Sequence, residues 1–411
     1  MNKKFLLVSI ILITSAKADN LPWSQYQGNE AHTGFVPIAV GVPKKTTPTW
    51  TYSACDAGDC GAKEMPYDAS VNYNFFQAII SDGVLYASTM NQSSGGNIFA
   101  LDLNSSRKLW QSSLVDVTNL SPVSLVNDKL FLTKYRYHQD DQSSALYFYD
   151  AKTGASYRPI ESKVSYMMSN PTVTSDGVYV QLDSVQIMGI NPQARIIEHT
   201  YLQKLKQNYV ASNSYAVNDN YLAAMNVDEQ DKFELNIFDR YQAGPPVMKI
   251  PVLQYFYGRI VFIDATKVAL IAQDFLDVYD LQTKKAKYEI VIDSQDSVAS
   301  DDQYIYTIES GNLTARDKNT GDKSWQISVS AGYFQPQGNI VVTGDTIFVN
   351  VFNNIQNNFY TTAVSKSTHQ TVWNSELMQG IKSHYPMLSL ADGYLVVANP
   401  YKYVISAYAL G

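Results

Sequence analysis

The chain has 411 residues, with 31 lysines and arginines against 38 aspartates and glutamates, for a formal net charge of −7. Such a surface excludes nucleic acid as a partner, because phosphate binding requires a basic footprint. Only two cysteines occur, and His32, His138, His199, His369 and His384 are scattered singly, so no clustered ligand set for a metal is evident.

Residues 1–18 place Lys3 and Lys4 before the apolar run "FLLVSIILI" and the small-residue stretch "SAKA", the layout of a secretory signal peptide cut after Ala18. Its apolar core is too short for an ordinary membrane-spanning helix, and no later apolar run is long enough. The expected product is a soluble, exported monomer, periplasmic or secreted from a bacterial cell. It has no transmembrane segment, and no cysteine near the cut offers a lipid anchor. Loss of Lys3, Lys4 and Lys17 takes the net charge to about −10.

"TPTWTYS", residues 47–53, reads as a lone strand carrying Trp50. "CDAGDC" follows, and in an oxidising compartment Cys55 and Cys60 are expected to close a small disulfide loop. The same loop also reads as a carboxylate-lined cation or peptide site using Asp56, Asp59 and Glu64, although the alternating ligands of a Ca²⁺ loop are missing.

From residue 79 two half-repeats alternate. The first is a tight turn between apolar-alternating arms, as in "IISDGVLYA", "SLVNDKLFL" and "TVTSDGVYV". It recurs eight times, with turn residues Asp82, Asn127, Asp176, Asn218, Asp264, Asp301, Gly344 and Asp392. The second is a strand ending in an acid, a polar turn and a further strand, as in "IFALDLNSSRKLWQS" and "LTARDKNTGDKSWQI". Its acid and hydroxyl are expected to tie down the turn, and Trp110, Trp325 and Trp373 to fill space between units. The eighth copy stops at Gly411 without its last strand. The lone Trp50 strand supplies it, so residues 19–411 are predicted to form one all-β domain. The expected architecture is an eight-bladed propeller of four-stranded antiparallel blades whose last blade is completed by the N-terminal strand.

The "ALD", Thr-Gly and Trp pattern resembles the pyrroloquinoline-quinone (PQQ) repeat of bacterial eight-bladed propellers, and "WSQYQGNEAHTGFVP" at 23–37 is similar to the opening segment common in that superfamily. The resemblance spans nearly all of residues 23–411. The superfamily holds quinone-dependent alcohol dehydrogenases and also propellers that bind no quinone, such as the lipoprotein of the machinery that inserts outer-membrane β-barrels. In the enzymes, the resemblance implies PQQ over an axial indole, a cap of adjacent cysteines and Ca²⁺ held by acid and amide oxygens. Four residues separate Cys55 and Cys60, so the adjacent-cysteine cap is missing here, and the chain has little length beyond its blades for the funnel that the enzymes build over the cofactor. The expectation is therefore the non-enzymatic branch, with no catalytic residues and no cofactor. PQQ with Ca²⁺ in an alcohol or sugar dehydrogenase is the alternative, and carbohydrate binding is the second.

A scaffold of this kind would bind a protein partner in the envelope or outside the cell through loops on one face. Connections between second and third strands and between successive blades emerge together. They bring Tyr135, Arg136, Tyr137, His138, Tyr166, Tyr255, Tyr257, Arg259, Tyr333, Phe352, His384 and Tyr385 to one predicted mouth, with Tyr and Arg favoured as contact residues.

Overall fold

The computed structural model describes residues 23–25, 27–29, 31–57, 76–91, 95–115, 119–138, 141–162, 169–181, 186–202, 215–227, 232–252, 259–272, 274–293, 297–330, 334–353, 355–380 and 385–411. Eight antiparallel sheets follow one another along the chain as the blades of a ring. Blades 1 to 7 span 79–115, 119–162, 172–202, 215–252, 259–291, 298–328 and 334–379. Blade 8 spans 387–409 and is completed by Trp50–Ser53. The pairing there runs from Trp50 opposite Ala407 to Ser53 opposite Val404, which closes the ring as the sequence predicts. No helix among the described residues is long and apolar enough to cross a membrane.

Two chemistries make the eight turns between first and second strands. At Asp82–Gly83, Asn127–Asp128 and Asp392–Gly393 the backbone takes left-handed φ, the geometry that tight hairpins require. The other five turns instead accept hydrogen bonds on a side chain. Asn218, Asp264 and Asp301 use Oδ1 toward backbone amides two or three residues on. Thr174 and Thr343 use their hydroxyls toward Gly177 and Thr346. Each of the eight copies is thus a pair of antiparallel strands as expected, with a positive-φ pair at the turn in three of them.

The turns between third and fourth strands are more uniform. Oδ1 of Asp102, Asp150, Asp280 and Asp317 each accepts the amides two and three residues on. The Ser105 and Thr153 hydroxyls and the Thr283 amide hold Asp102, Asp150 and Asp280 below the usual carboxylate range.

In four blades the residue after the acid of this turn is tied to the neighbouring blade. Trp50 Nε1 donates to Leu103 O at 2.7 Å, Trp110 Nε1 to Ala151 O at 2.8 Å, and the Tyr288 hydroxyl to Lys318 O at 2.7 Å. Tyr201 makes the same bond to Arg240 O. Trp325 instead stacks on His369 of blade 7, ring centroids 4.5 Å apart. Blade 8 has no such turn because its fourth strand comes from elsewhere, and Trp373 donates to Lys45 O. The apolar clusters likewise lie between blades, as where Val261 and Val278 of blade 5 meet Val298 and Ile305 of blade 6. A blade alone would leave both faces wet, so stability belongs to the ring.

Candidate functional site

In a ring of four-stranded meanders the two ends differ. The tight turns described above lie at one end, the turn face. Second-to-third connections and blade-to-blade connections lie at the other, the loop face.

Residues 23–42 close the turn face. Trp23 exchanges backbone hydrogen bonds with Ile80 of blade 1, Ser24 O accepts from Leu125 of blade 2, and the Gln25 amide grips both Val173 N and Val173 O of blade 3. Ala31 O, Thr33 O and Gly34 O then accept from Phe262, Ser300 and Val342 of blades 5, 6 and 7, and Val42 O accepts from Gly411 at the end of blade 8. All these partners sit at or near turn-side strand ends. The strap therefore visits these seven blades in ring order on the turn face.

The inner wall is polar and internally bonded. Ser389 Oγ donates to Ala78 O, Ser124 Oγ to Pro171 O, Ser297 Oγ to Gly338 O, and Asn339 exchanges two bonds with Leu388. Each joins one inner strand to the next blade, where strand edges alone could not pair. Arg259 is buried on this wall, with Nη2 3.3 Å from Val298 O. His32 of the strap is held neutral. Burial and the Arg259 guanidinium push it down to about 3, against an opposing hydrogen bond with the Ile260 backbone.

Few of the predicted mouth residues can be placed. Tyr166, Tyr255, Tyr257, Tyr333 and His384 lie outside the described residues, as does Cys60. Tyr135, Arg136, Tyr137 and His138 were expected in a loop, but their backbone continues the strand Lys129–His138, paired with Asp141–Asp150. Arg259 and Phe352 are corrected more sharply, since both are buried and neither is free to meet a partner. Phe352 packs on Phe359 and on the edge of Tyr385 between blades 7 and 8. Tyr385 is half-buried.

Sequence reasoning missed Val291, Ile355 and Leu377, which are 72%, 68% and 60% exposed. Val291 pairs with Phe275 at the loop end of blade 5. Ile355 lies in the hairpin between Thr346–Asn353 and Asn358–Ser365, and Leu377 directly precedes Met378, the partner of Phe359. All three sit at the loop face. A lone aliphatic inside "NNIQNN" was the available signal.

No protein-family model matches the sequence, and neither does any curated protein. Solved structures do. BamB from Moraxella catarrhalis superposes with a TM-score of 0.58 at 14% identity, covering 88% of this chain and 99% of its own. A europium-containing methanol dehydrogenase gives 0.58 at 13% identity, covering 93% and 90%. Dihydro-heme d1 dehydrogenase NirN in complex with DHE gives 0.53 at 14%, covering 72% and 65%. At these identities the likeness shows a fold alone, the eight-bladed β-propeller.

Proposed function

We propose that this protein is an exported, non-catalytic scaffold that docks a protein partner on its loop face, in the periplasm or outside the cell. The observation that carries the reading is that Val291, Ile355 and Leu377, the three most exposed large aliphatic side chains among the described residues, all lie at the loop ends of their blades. The strap across the opposite end and the likeness to BamB support it. A Cys55–Cys60 disulfide belongs to the same reading, supported by the absence of a free cysteine among the described residues.

The test is capture of envelope proteins by the purified mature chain and by an Ile355→Asp/Leu377→Asp variant. Both side chains are exposed, so the variant should keep the parent melting temperature while losing the captured partner. Undiminished capture would refute the docking face.

A quinone-dependent dehydrogenase is the second reading, favoured by the equal TM-score of the europium-containing methanol dehydrogenase. Among the described residues no group of three acidic, histidine or cysteine side chains converges as a cation cage. Stoichiometric PQQ uptake with dye-linked alcohol oxidation would establish this reading instead.

A further inference from the structure

Four side chains form a block at the loop end of blade 5. In its third and fourth strands Phe275 lies opposite Val291 and Asp277 opposite Glu289, with no register shift between the two pairs. Alternate residues of a strand share one face, about 7 Å apart, so an apolar row and an acidic row lie side by side. Phe275 is half-buried against the cluster that joins blades 4 and 5, whereas Val291 is 72% exposed. The apolar row is therefore open to contact on its outer side.

The acidic row is uncompensated at Asp277. This residue is only 8% exposed, yet no hydrogen-bond donor among the described residues reaches its carboxylate, and the charge that acts on it is the like charge of Glu289. Lys287, the cation nearest to Glu289 in the strand, falls at the register shift between the Tyr288 and Ala286 pairings and acts on Asp280 instead. Burial and the Glu289 charge accordingly push Asp277 up to about 6. A carboxylate held in this way is stabilised by a cation brought from outside.

We propose that this block is the blade 5 subsite of the docking face and takes an extended basic segment of the protein partner. One Lys or Arg of that segment lies against Asp277 and Glu289, and an aliphatic side chain two residues away lies on Phe275 and Val291. The spacing follows from the strand, because residues two apart in an extended segment repeat the same step of about 7 Å. Charge supplies the selection, since an acidic segment would bring a third carboxylate to the pair. The inference rests on the docking reading and names the chemistry of what docks.

A photoreactive side chain at Val291, in the cells that make the protein, tests it, with one at Ile355 reporting docking by itself. The partner peptide joined to Val291 should carry Lys or Arg within about three residues of the attachment point. Asp277→Asn/Glu289→Gln keeps side-chain shape and should hold or raise the melting temperature while cutting the Val291 adduct about fivefold or more. An Ile355 adduct with none at Val291, a Val291 adduct without a basic residue nearby, or one of undiminished yield in the double variant would overturn the basic segment and leave docking intact. So would a Val291 adduct abolished by EDTA and restored by Ca²⁺, which would make the carboxylate pair a cation site. Absence of adducts at both positions would remove the docking reading and this inference with it.

Discussion

Trp50 Nε1 donates to the carbonyl oxygen of Leu103, 53 positions later in the chain, at 2.7 Å. One side chain thereby joins the strand that completes blade 8 to the first turn of blade 1, and the seam of the ring is made of the same bond that ties Trp110 to Ala151. The seam is therefore another copy of the repeat interface.

Trp50→Ala should consequently cost about as much as losing an internal interface residue, roughly 2–4 kcal/mol, from lost packing and an orphaned carbonyl. Trp50→Phe keeps most of the packing and should cost about 1 kcal/mol. Urea midpoints at constant m-value measure both. Midpoints equal to the parent's for both variants would show that the seam does not depend on the indole.

Gly154 and Gly83 separate backbone strain from steric closeness. Both hold positive φ, at 70° and 73°. A Cβ on Gly154 would lie 2.4 Å from Trp110 Cε3, whereas one on Gly83 meets nothing within 4 Å. Gly83→Ala should cost about 1 kcal/mol for φ alone, and Gly154→Ala about 2–4 kcal/mol because the indole must move. Matching losses would mean that the indole gives way freely.

Asp301 anchors an ion pair across the boundary between blades 6 and 7. Burial raises its carboxyl, but Lys366 Nζ at 2.7 Å, the Tyr304 amide, the Tyr306 hydroxyl and the Gln303 amide outweigh it and hold the group below its ordinary value. The stability so gained is complete above the unfolded carboxyl's 3.8 and is lost as pH falls through the lower folded value. Asp301→Asn should cost about 2 kcal/mol at pH 7 and shrink the parent's loss of stability below pH 4. Thermal unfolding across that range checks it, and an unaltered acid limb would contradict it.

Asp277 behaves in the opposite sense. It lies directly opposite Glu289 in the third and fourth strands of blade 5, and burial together with the Glu289 charge pushes it up to about 6. The folded protein therefore binds this proton more tightly than the unfolded chain, and stability increases as pH falls from above 6 toward 4. Asp277→Asn should raise the melting temperature by about 2–4 °C at pH 8, with the gain vanishing near pH 4. A gain that is the same at both pH values would rule out carboxylate repulsion as its source.

The number of blades and the seam were legible because each repeat carries its own local chemistry. Asp102 with Ser105, and Asp150 with Thr153, announce a turn within four residues, and a chain end lacking a strand is visible in any alignment of copies. The contact face was less legible. Phe352 directly precedes an asparagine pair and looks like loop, yet the strand runs through to Asn353 and is buried along its whole length. Arg259 reads as a rim cation, but the inner strand starting there carries it onto the buried axial wall. The strap was not legible at all as a strap. Its partners come from strands scattered across the whole chain, and no spacing within "WSQYQGNEAHTGFVP" encodes them.

The most direct test of the docking account is site-specific photo-crosslinking of the protein in the cells that make it. A photoreactive side chain would be placed in turn at Val291, Ile355 and Leu377 on the loop face, and at Asp128 and Lys152 on the turn face. Defined protein adducts from the first three positions and none from the last two are expected. Adducts confined to the turn face, or none from any loop-face position, would contradict it.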